Sequence, residues 1–298
     1  MSPFTPDTTK SNSSNAQRLT SFLNPTLKAV RYVLMDIEGT TTDIHFVKNV
    51  LFPYSAQNLK KFLEKNLVET TDIANETRAC FIGVQNELHA LSQPNDFEHV
   101  VSQLQKWIAD DIKHPLLKKL QGMIWADGYK KTSYFAHLYS DVIPTWINWK
   151  AHGITLGIYS SGSIEAQKLL FGHTEQGDVR KYLSHYFDLG MGSKRDVSSY
   201  QKIAGIICDE SSKTHLTSQE VSPLAPCQIL FLSDIVKELA AAHNAGFQTA
   251  LIDRSKPIIK GFGKPTDGGI PIEKQEINTQ TNIKNDCYLG PFSSFDQI

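Results

Sequence analysis

Three short apolar runs in this chain each end in a small polar residue and give way to helical spacing, and few folds accommodate that arrangement. Tyr32-Val33-Leu34-Met35 runs into Asp36, Ile154-Thr155-Leu156-Gly157-Ile158-Tyr159 into Ser160-Ser161-Gly162-Ser163, and Ile229-Leu230-Phe231-Leu232 into Ser233-Asp234. Runs of this length without polar alternation have the composition of strands buried on both faces. After the second, Ile164 to Phe171 predicts a helix ended by Gly172. After the third, Val236, Leu239, Ala240 and His243 share a helical face closed by Gly246. A fourth strand, Thr249 to Ile252, follows at once. Strands alternating with helices predict an α/β fold, a doubly wound, Rossmann-like parallel sheet whose ligands sit beyond the carboxyl ends of the strands. Asp36, Ser160 and Asp234 are expected on that edge together.

More than a hundred residues separate the first strand end from the second, whereas a crossover needs only about a dozen. An inserted domain explains the excess. Val50 to Leu67, Asn75 to Leu91, Phe97 to Ile112 and Tyr134 to His152 show apolar spacings of three and four, with Pro94 and Pro115 as breaks. The expected organisation is a tail over residues 1–27, a core over 28–45 and 145–255, an all-helical cap over 46–144, and a loop-rich segment over 256–298 packing on the core. A bundle with no role at the site is the alternative to a cap.

Charge sets the class of partner. With 30 Lys and Arg against 31 Asp and Glu, the net charge of −1 offers no general attraction for nucleic acid or an anionic membrane. No apolar run approaches the roughly 18 residues of a membrane span. A small molecule is the expected partner. Cys80, Cys208, Cys227 and Cys287 form no C-x-x-C pair, which argues against a structural zinc site or a secreted disulfide scaffold and for a reduced, cytoplasmic compartment. The first 24 residues hold nine Ser or Thr and no apolar stretch of the signal-peptide kind, so a solvated tail is expected there.

The sharpest local feature is Asp36-Ile37-Glu38-Gly39-Thr40-Thr41, placed where the first strand ends. Two carboxylates around a small site push their pKa values apart, so one stays ionised as nucleophile or metal ligand while the other holds a proton. An acidic turn bent at Gly39 would use the same residues. Ser160 to Ser163 opens a helix, where free N–H groups and the positive end of the dipole suit phosphate oxygens; a serine-rich cap without a ligand is the alternative.

Taken in order, these stations resemble the haloacid dehalogenase superfamily: Asp36 with Glu38, then Ser160 or Ser161, then Lys194 in Gly192-Ser193-Lys194-Arg195-Asp196, then Asp234. The longer blocks Asp36 to Thr42, Phe46-Val47, Leu51 to Tyr54, Gln121 to Trp125, Asp141-Val142-Ile143-Pro144, Tyr159 to Ser163, Ala166 to His173 and Phe231 to Asp234 resemble the enolase-phosphatases of methionine salvage, over approximately residues 30 to 255. The resemblance implies covalent catalysis by Asp36, proton transfer by Glu38, and substrate binding by Ser160, Ser161 and Lys194. It implies one magnesium ion per subunit held by Asp36, Glu38 (through its backbone carbonyl) and Asp234. It further implies a monomer, cytoplasmic and in a eukaryote also nuclear, that converts 2,3-diketo-5-methylthiopentyl-1-phosphate through an enol phosphate to the acireductone. Glu38 is a candidate enolisation base, and Lys118 a candidate to steady the enolate. A carboxylic acid at position 38 favours hydrolysis over ion pumping or dehalogenation. Another small phosphate ester as substrate, or a catalytically silent phosphate-binding protein, are the alternatives.

Three stretches depart from the family pattern: Asp43 in place of Pro, Tyr129 to Tyr134, and a long Lys213 to Cys227 segment. Other signals carry no chemistry. Ten histidines form no metal motif. Gly261-Phe262-Gly263-Lys264 meets Pro265 where a phosphate loop needs Ser or Thr, and Gly190-Met191-Gly192 lacks a third Gly. Trp107, Trp125, Trp146 and Trp149 are expected to serve packing.

Overall fold

A computed structural model describes residues 27, 29–215, 224–255 and 288–298. The expected tail before residue 27, the Gly261 to Lys264 turn and most of the Gly- and Pro-rich C-terminal segment lie outside the described residues. The rest falls into two compact units. One takes the described residues up to Thr41, Ser140–Ser161 and those from Tyr182 onward; the other takes Thr42–Tyr139 and Gly162–Lys181. Residues 162–181, expected in the core, fall in the second unit, and the other expected boundaries differ from these by a few residues.

The first unit is built on six parallel strands: β1 (Tyr32–Met35), β2 (Thr155–Tyr159), β3 (His185–Phe187), β4 (Ile229–Ser233), β5 (Gln248–Ile252) and β6 (Leu289–Phe292). Their order is β3-β2-β1-β4-β5-β6, and the sheet is the doubly wound one expected. Strand β1 lies between two neighbours, which explains why all four of its residues are buried. Met35 pairs with Ile158 on one side and Leu232 on the other. That register brings Asp36 level with Tyr159 and Ser233, so the carboxyl ends of β1, β2 and β4 finish together. The order of connection reverses between β1 and β4, the switch point where sheets of this kind bind ligands.

Alternation along the strands divides the core. Tyr32 and Leu34 of β1 and Ile229 and Phe231 of β4 join one cluster with Tyr200, Ile203, Ile207, Leu239 and Phe247, contributed largely by the helices Val197–His215 and Val236–Asn244. Met35 faces the other way and accepts a hydrogen bond at Sδ from Trp146 Nε1 at 3.1 Å. Trp146 belongs to the helix Val142–Ala151, and Trp149 of the same helix stacks on Phe295.

Strands β3 and β6 are additions to the four read from sequence. At three residues, His185–Phe187 is too short to show a pattern. Leu289–Phe292 carries Pro291, which is tolerated because β6 is an edge strand whose N–H groups are not all needed.

The second unit is helical: Phe52–Asn66, Asp72–Ala90, Phe97–Ala109, Pro115–Lys130 and Ile164–Gly172, with a short turn Ile44–Phe46 and a π-helical stretch Val47–Leu51 leading in. Leu59, Leu63, Val84, Val100, Leu104, Leu120 and Ile124 are among its core residues. The starts follow capping chemistry: Thr71 Oγ1 accepts from Ala74 N, Asp96 Oδ1 from His99 N, and Ser163 Oγ from Ala166 N. A break does fall before Pro115, and the proline also opens the helix Pro115–Lys130, an addition to those expected, because the first helical position needs no N–H. One reading is corrected. The helix expected over Tyr134 to His152 begins only at Val142, since a longer helix would bury Pro144 in its interior; here Pro144 lies in the first turn.

Two of the departures from the family pattern have local explanations, and most of the third, Lys213 to Cys227, lies outside the described residues. Asp43 caps the turn it precedes, its Oδ1 accepting from His45 N at 2.8 Å. Tyr129 and Tyr134 form an aromatic cluster with Tyr54 and His173, ring centroids 4.6 to 4.9 Å apart. No helix among the described residues is long and apolar enough to cross a membrane. Cys80, Cys208 and Cys227 are free thiols.

One tight contact in the sheet gives a test of its packing. A Cβ added at Gly157 would lie 2.1 Å from the Tyr32 hydroxyl, which is hydrogen-bonded to His185 Nδ1 at 2.9 Å. Gly157→Ala is expected to destabilise the chain by about 1–3 kcal/mol through overpacking, read from the urea midpoint. Tyr32→Phe in the same chain should recover part of the loss by removing the hydroxyl; a midpoint unchanged by Gly157→Ala would contradict the contact.

Candidate active site

The site begins where β1 stops. Asp36 N still donates to Leu232 O at 2.9 Å, so Asp36 is held by the sheet while its side chain leaves it. Beyond it the backbone turns sharply: Thr40 N and Thr41 N both donate to Ile37 O, and Thr41 Oγ1 donates to Ile37 O at 3.1 Å and Asp36 O at 3.3 Å. Gly39 stands at φ +73°, and a Cβ there would meet Asp234 Oδ2 at 2.3 Å. Only glycine satisfies both the backbone angle and that approach.

Lys194 comes in from the loop before the helix Val197–His215, its carbonyl held by the Tyr200 hydroxyl at 2.8 Å. Its ammonium lies 2.6 Å from Asp36 Oδ1 and 2.7 Å from Glu238 Oε2. All three side chains are about nine-tenths buried, 8% of Lys194, 9% of Asp36 and 11% of Glu238 remaining exposed. Burial alone would drive the lysine toward neutrality, but the adjacent Asp36 and Glu238 carboxylates outweigh it and raise its pKa, so the cation persists. Glu238 also accepts from Ser233 Oγ at 3.0 Å, and that hydroxyl accepts from Ile235 N. Even so, burial first and the charge of Asp36 second push the Glu238 carboxyl up, against the opposing pull of Lys194.

Asp234 follows β4 directly. Its Oδ1 is buried and receives no hydrogen bond, and burial together with the negative charge of Asp36 pushes its carboxyl up to about 7. Three carboxylates therefore share one ammonium. An oxygen-lined, electron-rich pocket of this kind fits a hard divalent cation, which would satisfy the orphaned Asp234 oxygen and offset the repulsion from Asp36. No group of three or more His, Cys, Asp and Glu side chains among the described residues is arranged to hold a metal by itself. Backbone carbonyl, water and substrate oxygens complete such shells for magnesium, which keeps waters readily.

Of the residues singled out from sequence, the structure brings Asp36, Lys194 and Asp234 together. Glu38 lies half-buried in the turn two residues past Asp36. Ser160 is buried at the end of β2, its N–H donating to Phe187 O at 3.1 Å, and Ser161 beside it is exposed. Lys118 belongs to the helix Pro115–Lys130 of the helical unit. Glu238 was missed. It stands four residues after Asp234 in the first turn of a helix, where a glutamate is readily taken as favouring the dipole; the spacing of the two acids was the available signal.

Comparison with known proteins then decides the family. No protein-family model matches the chain. Over 252 residues it is 39% identical to the enolase-phosphatase E1 of Cronobacter sakazakii, which covers 84% of this chain and all of that protein. Over 242 residues it is 41% identical to the enolase-phosphatase E1 of Pseudomonas aeruginosa, 81% of this chain and 88% of the relative. The chain belongs to the enolase-phosphatase E1 family. Among solved structures, the UTR4 protein of Saccharomyces cerevisiae superposes with a TM-score of 0.58 at 30% identity, over 77% of this chain and 93% of that one. The doubly wound parallel sheet described above is thus set in a fold that this solved protein shares.

The raised Asp234 carboxyl has a consequence for stability. Its folded pKa of about 7 exceeds the ordinary value of 3.8, so between roughly these limits the folded chain holds a proton that the unfolded chain has released. Rising pH therefore costs the metal-free fold stability across that window, with the full penalty present above about 7. In chelator, the stability of Asp234→Asn relative to the parent should climb from pH 4 to pH 7, by a few kcal/mol in all. Urea midpoints measured against pH check it; a difference that is flat with pH would refute the assignment.

Proposed function

We propose that this chain is a magnesium-dependent bifunctional enolase-phosphatase, converting 2,3-diketo-5-methylthiopentyl-1-phosphate through an enol phosphate to the acireductone and inorganic phosphate. The observation that carries the reading is the geometry of Asp36. Lys194 Nζ and Ile37 N both engage Oδ1, at 2.6 and 2.7 Å, which leaves Oδ2 as the oxygen to attack phosphorus. A carboxylate held in this way loses little freedom on reaching the transition state.

In the phosphatase step a bond forms from Asp36 Oδ2 to phosphorus as the bond to the leaving oxygen breaks, and Glu38 gives that oxygen its proton. Glu38, now a carboxylate, takes a proton from the water that attacks the phosphoaspartate, which releases phosphate and restores Asp36. Lys194 remains charged throughout, placing a fixed positive group beside the transferring anion. Ser160 and Ser161 are assigned to the phosphate oxygens. For the preceding enolisation, in which a proton leaves the carbon beside a carbonyl, Glu38 is the candidate base. Magnesium, when bound by Asp36, Asp234 and the carbonyl of residue 38, supplies neutralisation of phosphate charge and polarisation of a carbonyl oxygen.

The helical unit is read as the substrate-selecting cap domain. Its two pieces begin at Thr42 and Gly162, each within a few residues of a strand's carboxyl end. A monomeric, cytoplasmic enzyme with one ion per subunit is part of the same reading.

With magnesium and the diketo phosphate, phosphate release and enol absorbance should both be observed when followed separately. Release without an enol would refute the bifunctional reading, and neither signal would favour a binding protein. Asp36→Asn is expected to abolish phosphate release, since an amide is a poor nucleophile. Glu38→Gln should slow release by ~10²–10⁴; full activity in either variant would remove that residue from the chemistry.

A further inference from the structure

Arg254, two residues beyond β5, has no part in the scheme above, yet its guanidinium ties together three remote segments. Nε and Nη2 donate to Thr40 O at 3.1 and 2.9 Å. Nη1 donates to both oxygens of Asp141 at 2.9 and 3.0 Å and to Ser293 O at 3.0 Å. The guanidinium lies over the Phe295 ring, 4.9 Å from its centre. Arg254 is 7% and Asp141 11% exposed, so this pair is neither screened nor mobile in the manner of a surface salt bridge.

Asp141 shows that the arrangement is specific. It occupies the cap position of the helix Val142–Ala151, where an aspartate ordinarily accepts from the helix's own first amides, yet its side chain makes no such bond. A cap of that kind contributes about 1 kcal/mol. Here the carboxylate is turned to Arg254 and to Phe295 N, which donates to Oδ2 at 2.7 Å.

Thr40 is the far end of the turn that starts at the nucleophile. At its near end the turn is held by the sheet and by Ile37 N on Asp36 Oδ1. Glu38 lies between these anchor points, on a segment that includes a glycine. Holding a carbonyl from two guanidinium nitrogens defines its direction as well as its distance, which a lysine ammonium cannot reproduce.

We infer that Arg254, oriented by Asp141, is a positioning residue that fixes the Thr40 end of the catalytic turn and thereby the reach of Glu38 to the leaving oxygen. The inference rests on the proposed phosphatase mechanism. It predicts a defect that depends on the leaving group, because a good leaving group needs no proton from Glu38 and a poor one does.

The test compares Arg254→Lys with the parent on a simple alkyl phosphate and on p-nitrophenyl phosphate, with magnesium. Expected is a kcat lower by ~10–100-fold on the alkyl ester, the cost of a small misplacement, with KM nearly unchanged, and a loss on p-nitrophenyl phosphate several times smaller. Equal losses on both esters would mark a general structural role and overturn the inference. Asp141→Asn, which keeps an acceptor for Phe295 N–H while removing the carboxylate fork, should show the same pattern and serves if Arg254→Lys does not fold. Hydrogen exchange of the amides of residues 37–41 is measured alongside: faster exchange in the variants supports the anchoring whatever the substrate proves to be, and unchanged exchange overturns it. A parent inactive on every phosphate would instead refute the mechanism, and the exchange result would then report on the anchoring alone.

Discussion

A lysine ammonium buried between two carboxylates is the interaction on which the rest of this site depends. Removing one charge from water without a partner is costly enough that the group ordinarily gives up its charge. Lys194 keeps it because Asp36 and Glu238 stand within 2.7 Å on either side, and the three are stable only as a set. The set links the end of β1, the loop before the helix Val197–His215 and the first turn after β4. Its charge balance is incomplete, since Asp234 adds a further carboxylate whose proton affinity rises to about 7. The pocket is left anionic, in a form that suits a divalent cation and, through it, an anionic substrate.

That set could not assemble on strands that ended at different levels. The pairing of Met35 with both Ile158 and Leu232 brings the three strand ends into line, and a slip of one residue would turn Asp36 to the opposite face. The reversal of connection between β1 and β4 opens the sheet edge at the same place. Gly39 then lets the turn pass against Asp234, at a distance no side chain permits. The geometry of this site is a consequence of strand register more than of any single side chain.

Anchoring extends past the buried charges. The turn carrying Glu38 is fixed at Asp36 by the sheet and at Thr40 by Arg254, and Arg254 is oriented by an aspartate drawn away from its own helix. Residues 293–295 join the same network. The C-terminal segment, which reads in sequence as loop with Gly and Pro, thus contributes an edge strand and part of the support beneath the site.

Much of this was legible in one dimension. Apolar runs of four to six residues that end in Asp or Ser announce buried parallel strands, and an acid pair beside a glycine at the first of those ends announces a site, because strand burial and carboxylate chemistry are local demands on residue type. The long insertion likewise declared itself by helical periodicity. The helix opened by Pro115 does not show in the sequence, because a proline that ends one helix and a proline that starts the next look alike. The short strands β3 and β6 escaped notice because three or four residues show no period. Glu238 and the Arg254–Asp141 pair were invisible for a different reason: a single charged residue in sequence looks solvated, and only its burial against remote partners reveals otherwise. Sequence alone determined the chemistry available and the strand ends that would carry it. Tertiary structure decided which charges share one buried space, because that depends on register and on contacts spanning as many as 214 residues, which no local pattern encodes.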